Sequence, residues 1–351
     1  MERILTALSG GVDSAAACAK LRQAGYEVGG ATMLLRCGGE GEAEDARRAA
    51  EQLGVPFHLF AWQDAFKCNV IDPFTRVYRQ GGTPNPCIFC NKTMKFGMFL
   101  DEALRLGYDG IATGHYCRIQ KQTDGRYLLL RGLDQSKDQS YMLYGLNQYQ
   151  LSHTLFPLGD LTKAEARDLA AQTGLQVASK HDSQDICFVP DGDYMAYLTA
   201  HGLVPQPGRF RDMDGRDLGP HKGFEAYTIG QRRGLEIAAG YRIYVVDKQN
   251  TDVILGPGDA LFSRRVWVED VNLIPMERLT GPMRLQAKLR YTPKMAACTA
   301  HPWERGVLLE FDEPQRAVTA GQAAVFYDGD IVVGGGTICA GQTPAPENKE
   351  R

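Results

Sequence analysis

Two stretches of the chain carry residues whose types and spacing could do chemistry. The first is Ser9-Gly10-Gly11-Val12-Asp13-Ser14. It follows a short apolar run, Ile4 to Leu8, and opens an apolar-periodic segment, Ser14 to Ala24, that Gly25 stops. A strand, a glycine turn and a helix start leave unpaired N–H groups where an anion can come close, and Ser9 and Ser14 add hydroxyls. No Gly-Lys-Ser/Thr follows, so this is not a Walker A loop, and it is not GxGxxG. The plain alternative is an ordinary strand-to-helix turn.

The second stretch is Thr83-Pro84-Asn85-Pro86-Cys87-Ile88-Phe89-Cys90-Asn91-Lys92. Two prolines fix an extended approach. Cys90 is expected at the start of a helix over Asn91 to Leu106, closed by Gly107. A helix N-terminus favours thiolate, so the Cys90 pKa should lie below the free value of about 8.5. Pro73 to Leu100 holds Arg76, Arg79, Lys92 and Lys95 and no acidic residue. That charge pushes the same way and would suit a phosphate backbone. A buried cysteine pair or half a zinc site are the alternatives, although a second CxxC or a His pair is missing. Cys187, in DSQDICFV, lies far downstream, so only the fold could bring it to Cys90. Alone it reads as a core cysteine. Cysteines 18, 37, 68, 117, 298 and 339 read as packing residues.

The elements that must position these residues alternate between strand and helix in the first third. Strands are expected over Tyr26 to Met33, Val55 to Phe60 and Gly110 to Thr113, and helices over Glu42 to Leu53 and Thr162 to Thr173. This alternation implies right-handed crossovers and a mainly parallel sheet. Arg118 to Arg131, with Thr123-Asp124-Gly125 in its middle, reads as a hairpin inserted in that domain. Past Gly202 helical periodicity fades. Short β-rich runs follow at Tyr241 to Val246, Asp252 to Leu255, Val266 to Val271, Met283 to Leu289, Gly306 to Phe311, Ala323 to Tyr327 and Ile331 to Gly334, which suggests a small β domain or barrel.

Composition sets the bounds. A chain of 351 residues implies two or three domains and a core that needs no staples. Hydrophobic residues at 44% and charged residues at 23% are ordinary for a globular protein. The net charge of −3 excludes a globally basic surface, so any nucleic-acid contact must use a local patch. No apolar run is long enough for a membrane span, and the N-terminus does not read as a signal peptide. Nine cysteines, an odd count without an export signal, point to a reducing compartment and hence the cytoplasm.

The chain closely resembles the bacterial tRNA-specific 2-thiouridylases, the MnmA/TrmU family of the ATP pyrophosphatase (PP-loop) superfamily. The resemblance covers nearly the whole length. It is carried by SGGVDS, TPNPCIFCNKTMKFG, ATGHYCRI, KDQSYMLYGL, SQDICFVPDGDY, YTIGQRRGL, RYTP and GQAAVFYDGDIVVGGG. It implies an α/β class with a parallel-sheet, adenine nucleotide α-hydrolase-like PP-loop domain over 1–201. A small central domain over 202–264, a C-terminal β-barrel over 265–345 and a disordered tail over 346–351 would follow. The activity implied is 2-thiolation of the wobble uridine in tRNAs for Lys, Glu and Gln, with Mg²⁺-ATP adenylating the C2 oxygen. Ala7, Leu8, Ser9, Gly10, Gly11, Val12, Asp13 and Ser14, with Met33 and Gly114, would hold ATP, Asp13 helping to hold magnesium. Cys90 matches the catalytic nucleophile and Cys187 the cysteine that carries sulfur as a persulfide. Asn85, Pro86 and Cys87 match positions that face the target base. His115, Lys137, Asp138, Gln139, Arg290, Tyr291 and Gln322 match tRNA-contacting positions. The sulfur donor implied is a cysteine desulfurase or a sulfur-relay protein.

One position departs from the family pattern. Many members have Asp where this chain has Cys87. A thiol is a weak hydrogen-bond partner and titrates several units higher than a carboxyl. Related tRNA thiolases use a cysteine trio to bind a [4Fe–4S] cluster, so a cluster-dependent variant built on Cys87, Cys90 and Cys187 is an alternative. A ligase of the same superfamily and a non-catalytic tRNA-binding protein are others. Asp138 or Ser140 could simply cap a helix start, His115 could be a satisfied loop histidine, and Arg232 and Arg233 could be surface charge.

Overall fold

The computed structural model describes residues 1–172, 186–189, 192–291 and 294–339; the tail expected over 346–351 lies outside them. Ile4 and Leu5 are both buried, so β1 (Arg3–Ala7) is covered on its two faces and sits centrally in a parallel sheet. β2 (Glu27–Leu34) pairs with β1 on one side and with β3 (Phe57–Ala61) beyond it. β4 (Gly110–Ala112) pairs with β1 on the other side. Helix α1 (Val12–Gln23) is rich in alanine, and its small side chains let it lie between two layers. Ala15, Cys18 and Ala19 pack on Ile4, Leu8 and Val28 of the sheet. Ala16 and Ala17 pack on Ala166 and Ala170 of the helix Lys163–Gln172. α2 (Glu40–Gln52) buries Ala43, Ala46, Ala49 and Ala50, the spacing of one helical face.

The cysteine helix starts earlier than its sequence suggests. Asn85 is its N-cap, accepting the Cys87 N–H at 3.1 Å, and Pro86 takes the first helical position, where a missing N–H costs nothing. Three segments follow without a break: Pro86–Phe89, a wide-turned π segment Cys90–Met98, and Phe99–Arg105. Cys90 therefore lies a turn inside the helix rather than at its start.

The expected hairpin forms as β5 (Cys117–Lys121) and β6 (Tyr127–Arg131), but it does not stay with the first domain. β7 (Thr154–Leu155) instead completes the parallel sheet beside β4. β8 (Gly208–Asp212), β9 (Asp217–His221), β10 (Tyr244–Gln249) and β11 (Asp252–Gly256) form a separate sheet in the order β10-β11-β8-β9. Six long strands follow: β12 (Phe262–Leu273), β13 (Met283–Lys288), β14 (Ala296–Trp303), β15 (Gly306–Arg316), β16 (Ala323–Asp328) and β17 (Ile331–Ile338). They run β12-β15-β14-β13-β16-β17, and pairing of β12 with β17 closes them into a barrel. β6 attaches to the barrel's last strand at Ile331 and Leu130. Among the described residues no helix is long and apolar enough to cross a membrane.

The hairpin's position has an energetic consequence. Leu5, Phe99 and Ile111 of the parallel-sheet layer share one core with Leu129 of the hairpin and with Val325, Tyr327 and Val332 of the barrel. Tyr141 Oη donates to Ala323 O at 2.9 Å across the same junction. Leu129 is fully buried there. Leu129→Ala should cost about 2–5 kcal/mol. In calorimetry the α/β layer and the barrel should lose stability together. A melt in which only one of two transitions moves would show that the core is not shared.

Candidate active site

The phosphate loop is built by two close approaches. Gly10 has φ +69°, and a Cβ there would lie 2.6 Å from Asp45 Cβ, so both backbone and space demand glycine. Ser14 Oγ donates to Gly11 O at 3.0 Å and accepts the Ser9 N–H at 3.1 Å. From the neighbouring strand end, Gly114 comes so close that a Cβ would sit 2.8 Å from the Asp13 carbonyl carbon. The Asp13 carboxylate is held by Lys163 Nζ at 2.7 and 2.8 Å and by Tyr116 Oη, which donates at 2.8 Å. Neither Lys163 nor Tyr116 stood out in the sequence. An isolated Lys on a helix and a Tyr after a histidine carry no signal of the aspartate they meet.

Beside the loop lies a cavity of about 310 Å³. Ala7, Leu8, Ser9, Asp13, Ser14, Met33 and Gly114, all expected at the nucleotide, line it. Gly10, Gly11 and Val12 shape the loop without lining the cavity. Lys95, His115, Gln139, Cys187, Arg36 and Glu42 line it too. His115 is therefore in the cavity wall. Its Nδ1 lies 2.7 Å from Thr113 Oγ1, and its ring packs on Phe96 and Phe156. Burial, aided by the Lys95 charge, holds its pKa well below the ordinary 6.5, so the imidazole is neutral at pH 7.

The fold brings the distant cysteines together. Cys90 and Ile186 pack against one apolar cluster containing Phe66, Phe74, Met94 and Phe188. Cys187 follows Ile186 and enters the cavity wall, and its thiol charge acts on Cys90. The Cys90 thiol is pushed up from 9.0 to about 11 by burial, against the pull of Lys95. Cys87 and Cys187 are open to solvent on one side, yet the protein around them also raises their thiols, again against Lys95. This reverses the expectation of a depressed Cys90 pKa. The residue is inside the helix rather than at its N-terminus, and desolvation outweighs one nearby ammonium. Cys18, Cys117 and Cys298 are buried packing residues, but Cys37 and Cys68 are exposed and Cys339 is half-buried, so the packing role does not extend to them.

The other expected residues divide. Asn85 caps the helix that carries Cys87. Asp138 is buried and serves as a brace, accepting from Gly132 N, Ser140 N and Ser140 Oγ and pairing with Arg131. The short helical turn that follows, Ser140–Leu143, has Gln139 at its N-cap and no side-chain cap, so Asp138 is a buried brace and not the cap of a solvated helix start. Gln139 accepts the Tyr116 N–H, while half-buried Lys137 donates its backbone N–H to Asp134 O at 3.0 Å. Arg290 donates to Arg316 O, and exposed Tyr291 meets the ring of Tyr141. Gln322 Nε2 donates to Thr83 O at 2.7 Å. Among the described residues no three Cys, His, Asp or Glu side chains gather as metal ligands. Cys90 faces the apolar cluster while Cys87 opens outward, so the trio is not a ready [4Fe–4S] site.

Three family models cover the chain: a tRNA methyl transferase HUP domain over 2–191, a tRNA methyl transferase PRC-barrel domain over 196–256, and an aminomethyltransferase beta-barrel domain over 263–338. Together with the loop and cavity they define a HUP-domain protein of an ATP-utilising class with two β domains appended. The tRNA-specific 2-thiouridylase MnmA of Moorella thermoacetica is 48% identical over 95% of this chain and 98% of its own. That of Heliobacterium modesticaldum is 46% identical over 96% of this chain and 92% of its own. That of Clostridioides difficile is 45% identical over 96% and 98%. The chain belongs to the MnmA family of tRNA-specific 2-thiouridylases.

Two outcomes test the geometry. Gly114→Ala should weaken ATP binding at least about tenfold in calorimetric titration, because the new methyl displaces the Asp13–Ser14 backbone; unchanged affinity would separate the loop from the nucleotide. Iodoacetamide labelling followed by peptide mass spectrometry should find Cys90 slow at pH 7 and accelerating toward about pH 11. A plateau reached near pH 8 would mean that burial does not govern this thiol.

Proposed function

We propose that the chain transfers sulfur to C2 of the wobble uridine of tRNAs for Lys, Glu and Gln at the expense of ATP. The supporting observation is one cavity lined both by the phosphate loop, Ser9, Asp13, Ser14 and Gly114, and by Cys187, with Cys90 in the adjoining cluster. The uridine C2 oxygen attacks the α-phosphate of ATP, pyrophosphate leaves, and the oxygen becomes part of an AMP ester. The terminal sulfur of a Cys187 persulfide then attacks C2, and the C2–O bond breaks with its electron pair passing to AMP. Cys90 thiolate attacks the Cys187 sulfur of the resulting mixed disulfide, releasing the 2-thio base and leaving a Cys90–Cys187 disulfide that an external dithiol reduces.

Each local feature has a part in this chemistry. Mg²⁺ arrives with ATP, and the Asp13 carboxylate at the cavity wall would hold it together with phosphate oxygens and water, the pattern this ion prefers. Lys163 and Tyr116 keep that carboxylate in place. Neutral His115 presents no competing charge to the base. Asn85, Pro86 and Cys87, at the start of the cysteine helix, would face the base, with the remaining RNA held by Lys137, Gln139, Arg290 and Tyr291. The division at residues 201/202 and 264/265, a cytoplasmic setting, and a cysteine desulfurase or relay protein as sulfur donor belong to the same proposal.

Mass spectrometry of tRNA nucleosides after incubation with ATP, Mg²⁺ and a sulfane-sulfur donor, a cysteine desulfurase with cysteine, tests it. 2-Thiouridine should form, and Cys90→Ala or Cys187→Ala should abolish it while ATP binding persists. A ligase would be nearly indifferent to either change, and a binding module would release no AMP. Activity that appears only in anaerobically purified protein containing iron and acid-labile sulfide would replace the persulfide route with the cluster-bound one.

A further inference from the structure

Lys95 lines the nucleotide cavity together with Ser9, Asp13, Ser14 and Cys187. Its situation differs from that of the other cations near the loop. Arg36, also in the cavity wall, is paired with Glu42 at 2.5 Å, and Lys163 is paired with Asp13 at 2.7 Å. Lys95 has no carboxylate partner among the described residues. A half-buried ammonium without a counter-ion, on the wall of a cavity built for phosphates, is a vacant anion partner.

The helix places it there by an unusual register. In an α-helix each residue turns about 100°, so the residue five places on from Cys90 would lie about 140° around the cylinder. Cys90–Met98 is a π segment, closed by bonds to the fifth residue, and that wider turn carries Lys95 most of the way back over Cys90. The same ammonium thus reaches the nucleotide cavity and the sulfur chemistry. It opposes burial at Cys87, Cys90 and Cys187 alike.

We infer that Lys95 is a further catalytic residue of this site, its ammonium holding the α-phosphate that is first transferred to the uridine oxygen and then expelled from C2 as AMP. The inference rests on the function proposed above. When uridine attacks ATP, charge grows on the oxygens of the α-phosphate; when sulfur displaces the ester, the C2–O electron pair moves onto AMP. A fixed cation on the wall stabilises both transition states without reorganising.

The test measures tRNA-dependent pyrophosphate release and 2-thiouridine formation in the full-length protein, with thermal midpoints recorded alongside. Lys95→Met should lower both rates by about 10²-fold at an unchanged midpoint. Lys95→Arg, which keeps the charge, should recover most of the loss. A loss of 2-thiouridine alone, with pyrophosphate release at the wild-type rate, would place the lysine in the sulfur step only and overturn the inference. Wild-type rates in Lys95→Met would overturn the inference. So would a Lys95→Arg protein as impaired as Lys95→Met, since charge would then not be the cause. A wild-type protein that neither releases pyrophosphate nor makes 2-thiouridine defeats the proposed function itself, and this inference with it.

Discussion

The ring of Phe188 fixes where the sulfur chemistry can occur. It meets Phe66 edge-on at 5.5 Å, Phe74 edge-on at 5.4 Å and Tyr197 at 5.3 Å. Each such pair adds roughly 0.5–1.5 kcal/mol to the burial of the rings. Phe66 and Phe74 belong to the helical stretch 63–79, and Tyr197 to the helix Tyr194–Ala200, which is held in turn by Tyr194 stacked on Tyr78 at 5.3 Å. Cys187 enters the cavity wall because the residue after it is anchored this way. Without that apolar socket, nothing in the covalent chain keeps residue 187 near residue 90.

The socket has an electrostatic cost. An apolar surround disfavours thiolate, and at Cys90 it defeats Lys95, lifting the thiol to about 11. At neutral pH the Cys90 thiol is then held almost wholly protonated. A thiol kept protonated resists stray oxidation, which proceeds through thiolate. The rare thiolate has the high intrinsic nucleophilicity that goes with a high pKa. In the proposed reaction, whose last step is attack on a sulfur–sulfur bond, such a site would gain selectivity from the burial that slows it at rest.

Much of this was legible in the residues. Strands β1 to β4 and helices α1 and α2 lie within a few residues of the spans their apolar periodicity predicts, and the phosphate loop sits where strand, glycines and helix imply. What escaped did so for identifiable reasons. β7 has only two residues, and β8 and β9 are so polar that Phe210 and His221 are their buried members. β14, AACTAHPW, is made of small residues and a proline, with Cys298 and Ala300 turned inward. Pro86, read as part of an extended approach, is instead the first residue of the helix. The hairpin was found, but its partner strand lies at the far end of the chain, which no local pattern can disclose. The direction of the Cys90 pKa was misjudged because charge can be read along a sequence and burial cannot.

The three parts of the chain meet at the segment before the cysteine helix. Thr83 donates its N–H to Ala320 O at 2.9 Å and accepts from Gln322 Nε2, so the barrel grips it on both sides. Two residues earlier, Gly81 O accepts from Lys248 Nζ of the central sheet at 2.9 Å. Lys248 is largely desolvated there, which lowers its pKa to about 8. The same amine lies over the ring of Phe224, 5.7 Å from its centroid. Both β domains thus hold the approach to Asn85, Pro86 and Cys87 from outside the parallel-sheet domain. Gln322, matched above to a tRNA-contacting position, also acts as a strut for that approach, and its chemistry suits that part. A primary amide can donate to a backbone carbonyl at 2.7 Å without bringing a charge into the join between barrel and helix.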